Sequence, residues 1–133
     1  MFQAKPQAKG VKLAPGTILV VEDEEQVRTL IVRLLQKRGY SVQPATNGRH
    51  AIDLVQDGLQ DISLVITDMI MPEMGGAAML EELRKVRPDL PALCMTGYTR
   101  EEIATSEALR DSAFIEKPFT PAVFLDQVAE LLK

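Results

Sequence analysis

The chain has 133 residues, of which 46% are hydrophobic and 26% are charged, a composition typical of one soluble globular domain. No apolar run approaches the ~20 residues of a membrane span, and a net charge of −4 without a basic stripe argues against a nucleic-acid surface. The start of the chain has three lysines but lacks the apolar segment of a secretory signal, so we interpret residues 1–16 as a flexible tail or linker and expect a cytoplasmic protein.

Short apolar runs alternate with amphipathic segments along the rest of the chain. The first run, Thr17–Val21, is rich in β-branched residues and is followed by acids, which predicts a buried strand. A helix is predicted over Glu24–Arg38, ending at Gly39, because apolar residues recur at offsets 0, 3, 4, 7 and 8 along one stripe: Val27, Leu30, Ile31, Leu34 and Leu35. A second strand follows at Tyr40–Ala45, and Pro44 favours an edge position for it.

The same alternation continues to the end of the chain. The remaining predicted elements are a helix capped by Asn47, a strand at Leu64–Thr67, a helix at about Gly76–Val86, a strand at Pro91–Thr96, a weaker helix near Arg100–Leu109, a strand at Ser112–Lys117, and a last helix that begins at Thr120 and Pro121 with Val123 on its inner face. Five strands and five helices in strict alternation predict an α/β domain over residues 17–133, with a parallel sheet and helices on both faces.

Polar side chains follow the carboxyl ends of four predicted strands. Glu22 and Asp23 follow the first strand, and Asp68 follows the third. The fourth strand ends in Thr96 and the fifth in Lys117. A single acid at a strand end is more often a turn or capping residue. Because ligands of such sheets bind beyond the carboxyl ends of the strands, five polar groups at one edge favour a functional site.

Three close carboxylates repel one another, and a divalent cation removes that conflict. Mg²⁺ prefers oxygen ligands and needs only one or two carboxylates, and Mn²⁺ is a substitute with the same ligand preference. A phosphoryl group beside the cation needs cationic and hydroxyl partners, which Lys117 and Thr96 offer. Asp68 can then act as a nucleophile and form an aspartyl phosphate.

Four segments carry a resemblance to a known family, in the order ILVVEDE, LVITDMIMPEMGG, MTGY and FIEKPF. In this order and spacing, the chain resembles the receiver (response regulator) domain of two-component signalling, of the chemotaxis-regulator type, from about Thr17 to Lys133. The resemblance implies the flavodoxin-like (βα)5 fold, a doubly wound five-stranded parallel sheet in the order 2-1-3-4-5.

The resemblance also implies a role for each residue of the site. Asp68 is implied to be the phosphoacceptor, and Asp23, Asp68 and the backbone carbonyl of Ile70 are implied to bind Mg²⁺. Glu22 acts through metal-bound water, and Lys117 holds the phosphoryl oxygens.

The implied switch consists of Thr96 and Phe114, since the hydroxyl moves to the phosphate and the aromatic ring follows it inward. The readout face is formed by the fourth helix, the fifth strand and the fifth helix. The Lys117–Pro118 peptide bond is expected to be cis.

The implied partner is a histidine kinase or a histidine phosphotransfer domain that donates from phosphohistidine. MTGY and KPFTP are most similar to receivers of hybrid sensor histidine kinases, and a free-standing receiver is the other interpretation. One face of the first helix resembles the kinase-docking surface of the family, and its residues are Glu25, Arg28, Thr29 and Val32.

Two other functions compete with a phosphoacceptor switch that catalyses only its own phosphorylation and dephosphorylation. One is a phosphorylation-independent interaction module of the same fold, against which the intact set of acids and Lys117 argues. The other is a hydrolytic phosphotransferase, which commonly needs a second acid at the position of Ile70. Gly75 stands where the family often has Asp or Asn, and the sequence leaves the effect of this change open.

Overall fold

The described part of the chain consists of strands that alternate with helices. The computed structural model describes residues 16–59, 61–97 and 112–133. Its strands are β1 (Thr17–Val21), β2 (Ser41–Ala45), β3 (Ile62–Asp68), β4 (Ala92–Thr96) and β5 (Ala113–Glu116). Its helices are α1 (Glu25–Lys37), α2 (Gly48–Gln56), α3 (Gly76–Val86) and a C-terminal helix (Pro121–Leu131). Within these segments, no helix is both long and apolar enough to cross a bilayer.

Two predictions concern parts of the chain outside the described residues. The helix predicted near Arg100–Leu109 falls entirely there. The segment 1–16 falls there too except for Gly16, so its interpretation as a tail or linker stays a prediction.

The five strands form one parallel sheet in the order β2-β1-β3-β4-β5, which confirms the predicted α/β fold and strand order. β2 lies at an edge of this sheet. Pro44 has no amide hydrogen to donate, and an edge strand tolerates this because it has a neighbouring strand on one side only. Because all strands run in one direction, the carboxyl ends of β1 and β3 lie side by side.

Helices cover both faces of the sheet, as predicted. Alternate residues of β1 point to opposite faces, so Leu19 and Val21 join one core cluster and Ile18 and Val20 join the other. The first cluster contains the buried residues of α2 and α3, and the second contains those of α1 and the C-terminal helix.

Two apolar side chains that the helical pattern predicted to be buried face solvent instead. Leu30 is 56% exposed and Val123 is 53% exposed. In α1 the buried positions are Ile31 and Leu35, four residues apart, because a helix on a sheet contacts it along a stripe narrower than the whole apolar face. These two predictions were wrong.

β3 is longer than predicted and includes Asp68. The strand covers Ile62–Asp68, whereas the apolar run alone predicted Leu64–Thr67. Of the added residues, Ile62 pairs with Thr17 of β1, and Asp68 lies opposite Met95 of β4. The sheet therefore holds the backbone of Asp68, which is not a turn residue.

The start of α3 packs against the end of β3 through two glycines. The Gly76 amide donates to the Met69 carbonyl at 3.1 Å, and a Cβ added to Gly76 would lie 2.6 Å from the Asp68 carbonyl oxygen. Gly75 is the N-cap residue without a side-chain cap, and a Cβ there would lie 3.0 Å from the Met69 carbonyl oxygen. An Asp or Asn at position 75 would therefore require that carbonyl to shift by a few tenths of an ångström.

We expect Gly76→Ala to destabilise the protein by about 2 kcal/mol, because the new methyl group collides with backbone and not with a movable side chain. Urea unfolding measures the change. The matched control is Gly97→Ala, where an added Cβ meets no atom within 4 Å and the expected change is below about 0.5 kcal/mol. Equal effects of the two substitutions would contradict the close approach of α3 to Asp68.

Candidate functional site

Three carboxylates converge at the carboxyl ends of β1 and β3. Glu22 and Asp23 follow β1, Asp68 ends β3, and one oxygen of each lies within 4.8 Å of the others. Glu22 is 0% exposed and Asp68 is 8% exposed, whereas Asp23 faces solvent. Within the described segments, this is the one acidic group arranged to hold a metal ion. The structure thus brings together the three acids that the sequence placed at this edge.

Glu22 is held at three of its four polar atoms. Its amide donates to the Ala45 carbonyl at 3.1 Å, its carbonyl accepts from Arg28 Nη1 at 2.8 Å, and its Oε2 accepts from the Glu24 amide at 3.0 Å. Its Oε1 is buried and has no hydrogen-bond partner among the residues that the structure describes. A buried acceptor without a partner is costly, and water bound to a cation can satisfy it.

The environment of Glu22 opposes its negative charge. The pKa of Glu22 is raised from 4.5 to about 7, and burial is the largest cause. The Glu24 amide hydrogen bond and the Lys117 ammonium lower the pKa, whereas the negative charge of Asp68 contributes to the rise. Without a cation, Glu22 is therefore partly protonated near neutral pH.

The carboxylate of Asp68 is oriented by two donors. Lys117 Nζ lies 3.3 Å from Oδ2, and the Ile70 amide donates to Oδ1 at 3.4 Å. The Thr67 hydroxyl donates to the Asp68 carbonyl at 2.8 Å. The Ile70 side chain points outward and is 64% exposed, so it leaves its backbone beside the acid.

The remaining predicted site residues lie on the two neighbouring strands. Thr96 is buried at the end of β4, and its carbonyl accepts from the Lys117 amide at 2.9 Å. Phe114 is half-buried on β5, and its carbonyl accepts from Gln127 of the C-terminal helix at 2.8 Å. The Lys117–Pro118 peptide bond is cis, as the resemblance implied.

Arg28 contacts the site, which its position in the sequence did not indicate. It was assigned to the predicted docking face of the first helix, but its half-buried side chain reaches back to the Glu22 carbonyl. One sequence signal was available, since α1 begins so soon after β1 that its first turns lie beside the acids. The sequence does not indicate that the Glu22 backbone carbonyl is the acceptor, because every residue has such a carbonyl.

Residues 18–129 match the family model of the response regulator receiver domain. The chain belongs to this family. The receiver is 37% identical over 119 residues to the sensor kinase CckA of Brucella abortus, a match that covers 89% of this chain but only 13% of CckA. It is 32% identical over 116 residues to the response regulator receiver protein CpdR of Brucella abortus, covering 86% of this chain and 95% of CpdR.

A solved structure supports the same assignment. The response regulator TrrA of Thermotoga maritima, in complex with Mg²⁺-BeF, is 30% identical and has a TM-score of 0.76, covering 88% of this chain and 99% of that one. The protein is therefore a receiver domain of two-component signal transduction. Its acidic set of Glu22, Asp23 and Asp68 is consistent with the phosphoacceptor role of that family.

The raised pKa of Glu22 predicts a pH-dependent stability of the receiver in a metal chelator. Because the folded protein binds this proton more tightly than the unfolded chain, stability falls as pH rises from 4.5 to about 7. Glu22→Gln removes the buried charge and keeps an acceptor for the Glu24 amide. The variant should exceed the wild type by about 3 kcal/mol at pH 8 and match it near pH 4.5.

Denaturant unfolding at several pH values tests this prediction. The exposed Glu25→Gln substitution on α1 is the matched control and should leave the pH dependence unchanged. A constant difference between wild type and Glu22→Gln across this pH range would contradict the assigned cause.

Proposed function

We propose that Asp68 accepts a phosphoryl group from phosphohistidine on a histidine kinase or phosphotransfer domain, with Mg²⁺ at the acidic cluster. The observation that carries the proposal is the convergence of three carboxylates within 4.8 Å, with Lys117 3.3 Å from Asp68. Asp23, Asp68 and the Ile70 carbonyl would hold the cation, and Glu22 would act through metal-bound water. Mn²⁺ would substitute for Mg²⁺.

The residues present fit such a cation. Among the described residues, the Lys117 ammonium is the group in ion-pair contact with these three carboxylates, so their negative charges outnumber it. All available ligands are oxygens, and the buried Oε1 of Glu22 needs a donor, which a metal-bound water supplies. A bound cation would neutralise charge on the reacting phosphoryl oxygens.

The phosphoryl transfer itself would be carried out by side chains of this protein. A carboxylate oxygen of Asp68 attacks phosphorus, an O–P bond forms, and the P–N bond to the donor imidazole breaks with its electron pair passing to the ring nitrogen. Lys117 and the Ile70 amide hold the carboxylate in place before the attack. Lys117 then pairs with the phosphoryl oxygens, and the Thr96 hydroxyl donates to one of them.

The acyl phosphate is then hydrolysed: water attacks phosphorus, and the Asp68 carboxylate leaves. The protein therefore catalyses only its own phosphorylation and dephosphorylation. As a switch, the protein would present a different surface while Asp68 is phosphorylated. We propose that this phosphorylation takes place in the cytoplasm, where the kinase partner would act.

Thr96 and Phe114 are the proposed switch pair. Thr96 would turn its hydroxyl to the phosphate and vacate space that the ring of Phe114 then enters. Support comes from their places on neighbouring strands, with Thr96 buried and Phe114 half-buried. Gln127 ties the Phe114 backbone to the C-terminal helix, so movement of β5 reaches that helix. The affected face consists of β5, the C-terminal helix and the predicted fourth helix.

Acetyl phosphate with Mg²⁺ tests the phosphoacceptor directly. Intact mass should rise by one phosphate in the wild type and in Asp126→Asn, an exposed acid of the C-terminal helix that serves as the control. Asp68→Asn should stay unmodified because it lacks the nucleophile. An unmodified wild type would contradict the proposal and favour a phosphorylation-independent interaction module. An undiminished adduct on Asp68→Asn would contradict the assignment of Asp68 as the phosphoacceptor.

Thr96→Val tests the switch separately from the chemistry. The variant should still accept the phosphate at Asp68, but the NMR signals of the Phe114 ring should shift much less on phosphorylation than in the wild type. The control Thr29→Val changes an exposed residue of α1 and should behave like the wild type. Equal shifts in Thr96→Val and the wild type would refute the coupling of these two residues.

A further inference from the structure

Arg28 is anchored to the acidic site through a backbone contact. Its side chain leaves the second turn of α1, is half-buried, and places Nη1 2.8 Å from the carbonyl oxygen of Glu22. That carbonyl belongs to the residue that follows β1 directly. The contact therefore fixes the chain at the point where it leaves the sheet and enters the site.

The Glu22 carbonyl controls the position of Asp23. The peptide group between these two residues is planar, so the direction of the carbonyl sets the direction of the Asp23 amide and the place of its Cα. The Glu22 amide is fixed to the Ala45 carbonyl, and Glu22 Oε2 accepts from the Glu24 amide on the other side of Asp23. Among the described residues, Arg28 is the side chain that contacts the carbonyl of the Glu22–Asp23 peptide group itself.

We propose that Arg28 is a positioning residue for the divalent cation: it orients the Glu22–Asp23 peptide group so that the Asp23 carboxylate meets that of Asp68. The inference rests on the proposed function, because it requires that these acids bind a cation. It assigns Arg28 a role inside the site, whereas its place in the sequence suggested a contact with the kinase.

The sign of the effect separates positioning from simple electrostatics. A positive charge near a cation site weakens cation binding, so removal of a charge alone would strengthen Mg²⁺ binding. Loss of the hydrogen bond makes the Glu22–Asp23 peptide group more mobile. Cation binding must then restrict this peptide group again, and the entropy lost lowers the affinity for Mg²⁺. Positioning therefore predicts weaker Mg²⁺ binding in a variant that has lost a positive charge.

Mg²⁺ titration of the whole 133-residue protein, followed by backbone amide NMR shifts, provides the test. Arg28→Met should bind Mg²⁺ about ten-fold more weakly than the wild type. Arg28→Lys keeps a charged donor and should recover part of the loss. The matched control is Arg33→Met, which removes the same charge from the exposed side of α1 and should bind at least as tightly as the wild type.

Each outcome decides the proposal. Binding by Arg28→Met that equals or exceeds the wild type would overturn the role of Arg28 while leaving the proposed function intact. A wild type that binds no Mg²⁺ would overturn the proposed function together with this inference. Thermal unfolding in chelator verifies that each variant is folded, and if Arg28→Met is not, Arg28→Gln carries the same expected loss because its shorter side chain does not reach the carbonyl.

Discussion

The repulsion among carboxylates at the ends of two adjacent parallel strands is the constraint on which the other features of the site depend. Glu22 is fully buried, Asp68 nearly so, and their oxygens lie within 4.8 Å of each other and of Asp23. Desolvation and like charge both penalise such an arrangement. The Lys117 ammonium and the Glu24 amide offset part of the cost, and a hard cation is the group that can offset the rest.

The fold holds these acids in place through backbone contacts. β3 keeps Asp68 in its ladder opposite Met95, and the start of α3 packs so closely on the Asp68 carbonyl that only glycine fits at position 76. On the other side, Arg28 and Ala45 hold the backbone of Glu22. Groups that would repel one another in solution are thus preorganised, which is the condition for strong electrostatic effects on a reacting phosphoryl group.

The sequence predicted which side chains meet at the site better than it predicted the contacts that hold them there. Asp68 and its partners were found because they are charged or polar groups at strand ends, where a parallel sheet must bring them together. The length of β3 was missed because pairing with a neighbouring strand extends β3 beyond its apolar run, with Ile62 opposite Thr17 and Asp68 opposite Met95. Leu30 and Val123 are exposed because each helix buries only part of its apolar face. The periodicity of the sequence predicts where that face lies but not how much of it is buried. The contact of Arg28 uses a backbone carbonyl, which any residue offers.

We propose that Asp68, and neither of the two neighbouring acids, becomes phosphorylated. The most direct test treats the phosphorylated protein with borohydride, which reduces an acyl phosphate to an alcohol, and then locates the reduced residue by peptide mass spectrometry. Homoserine is expected at position 68 alone, with Glu22 and Asp23 unchanged. Reduction at Glu22 or Asp23, or at no acid of this cluster, would contradict the assignment of Asp68 as the phosphoacceptor.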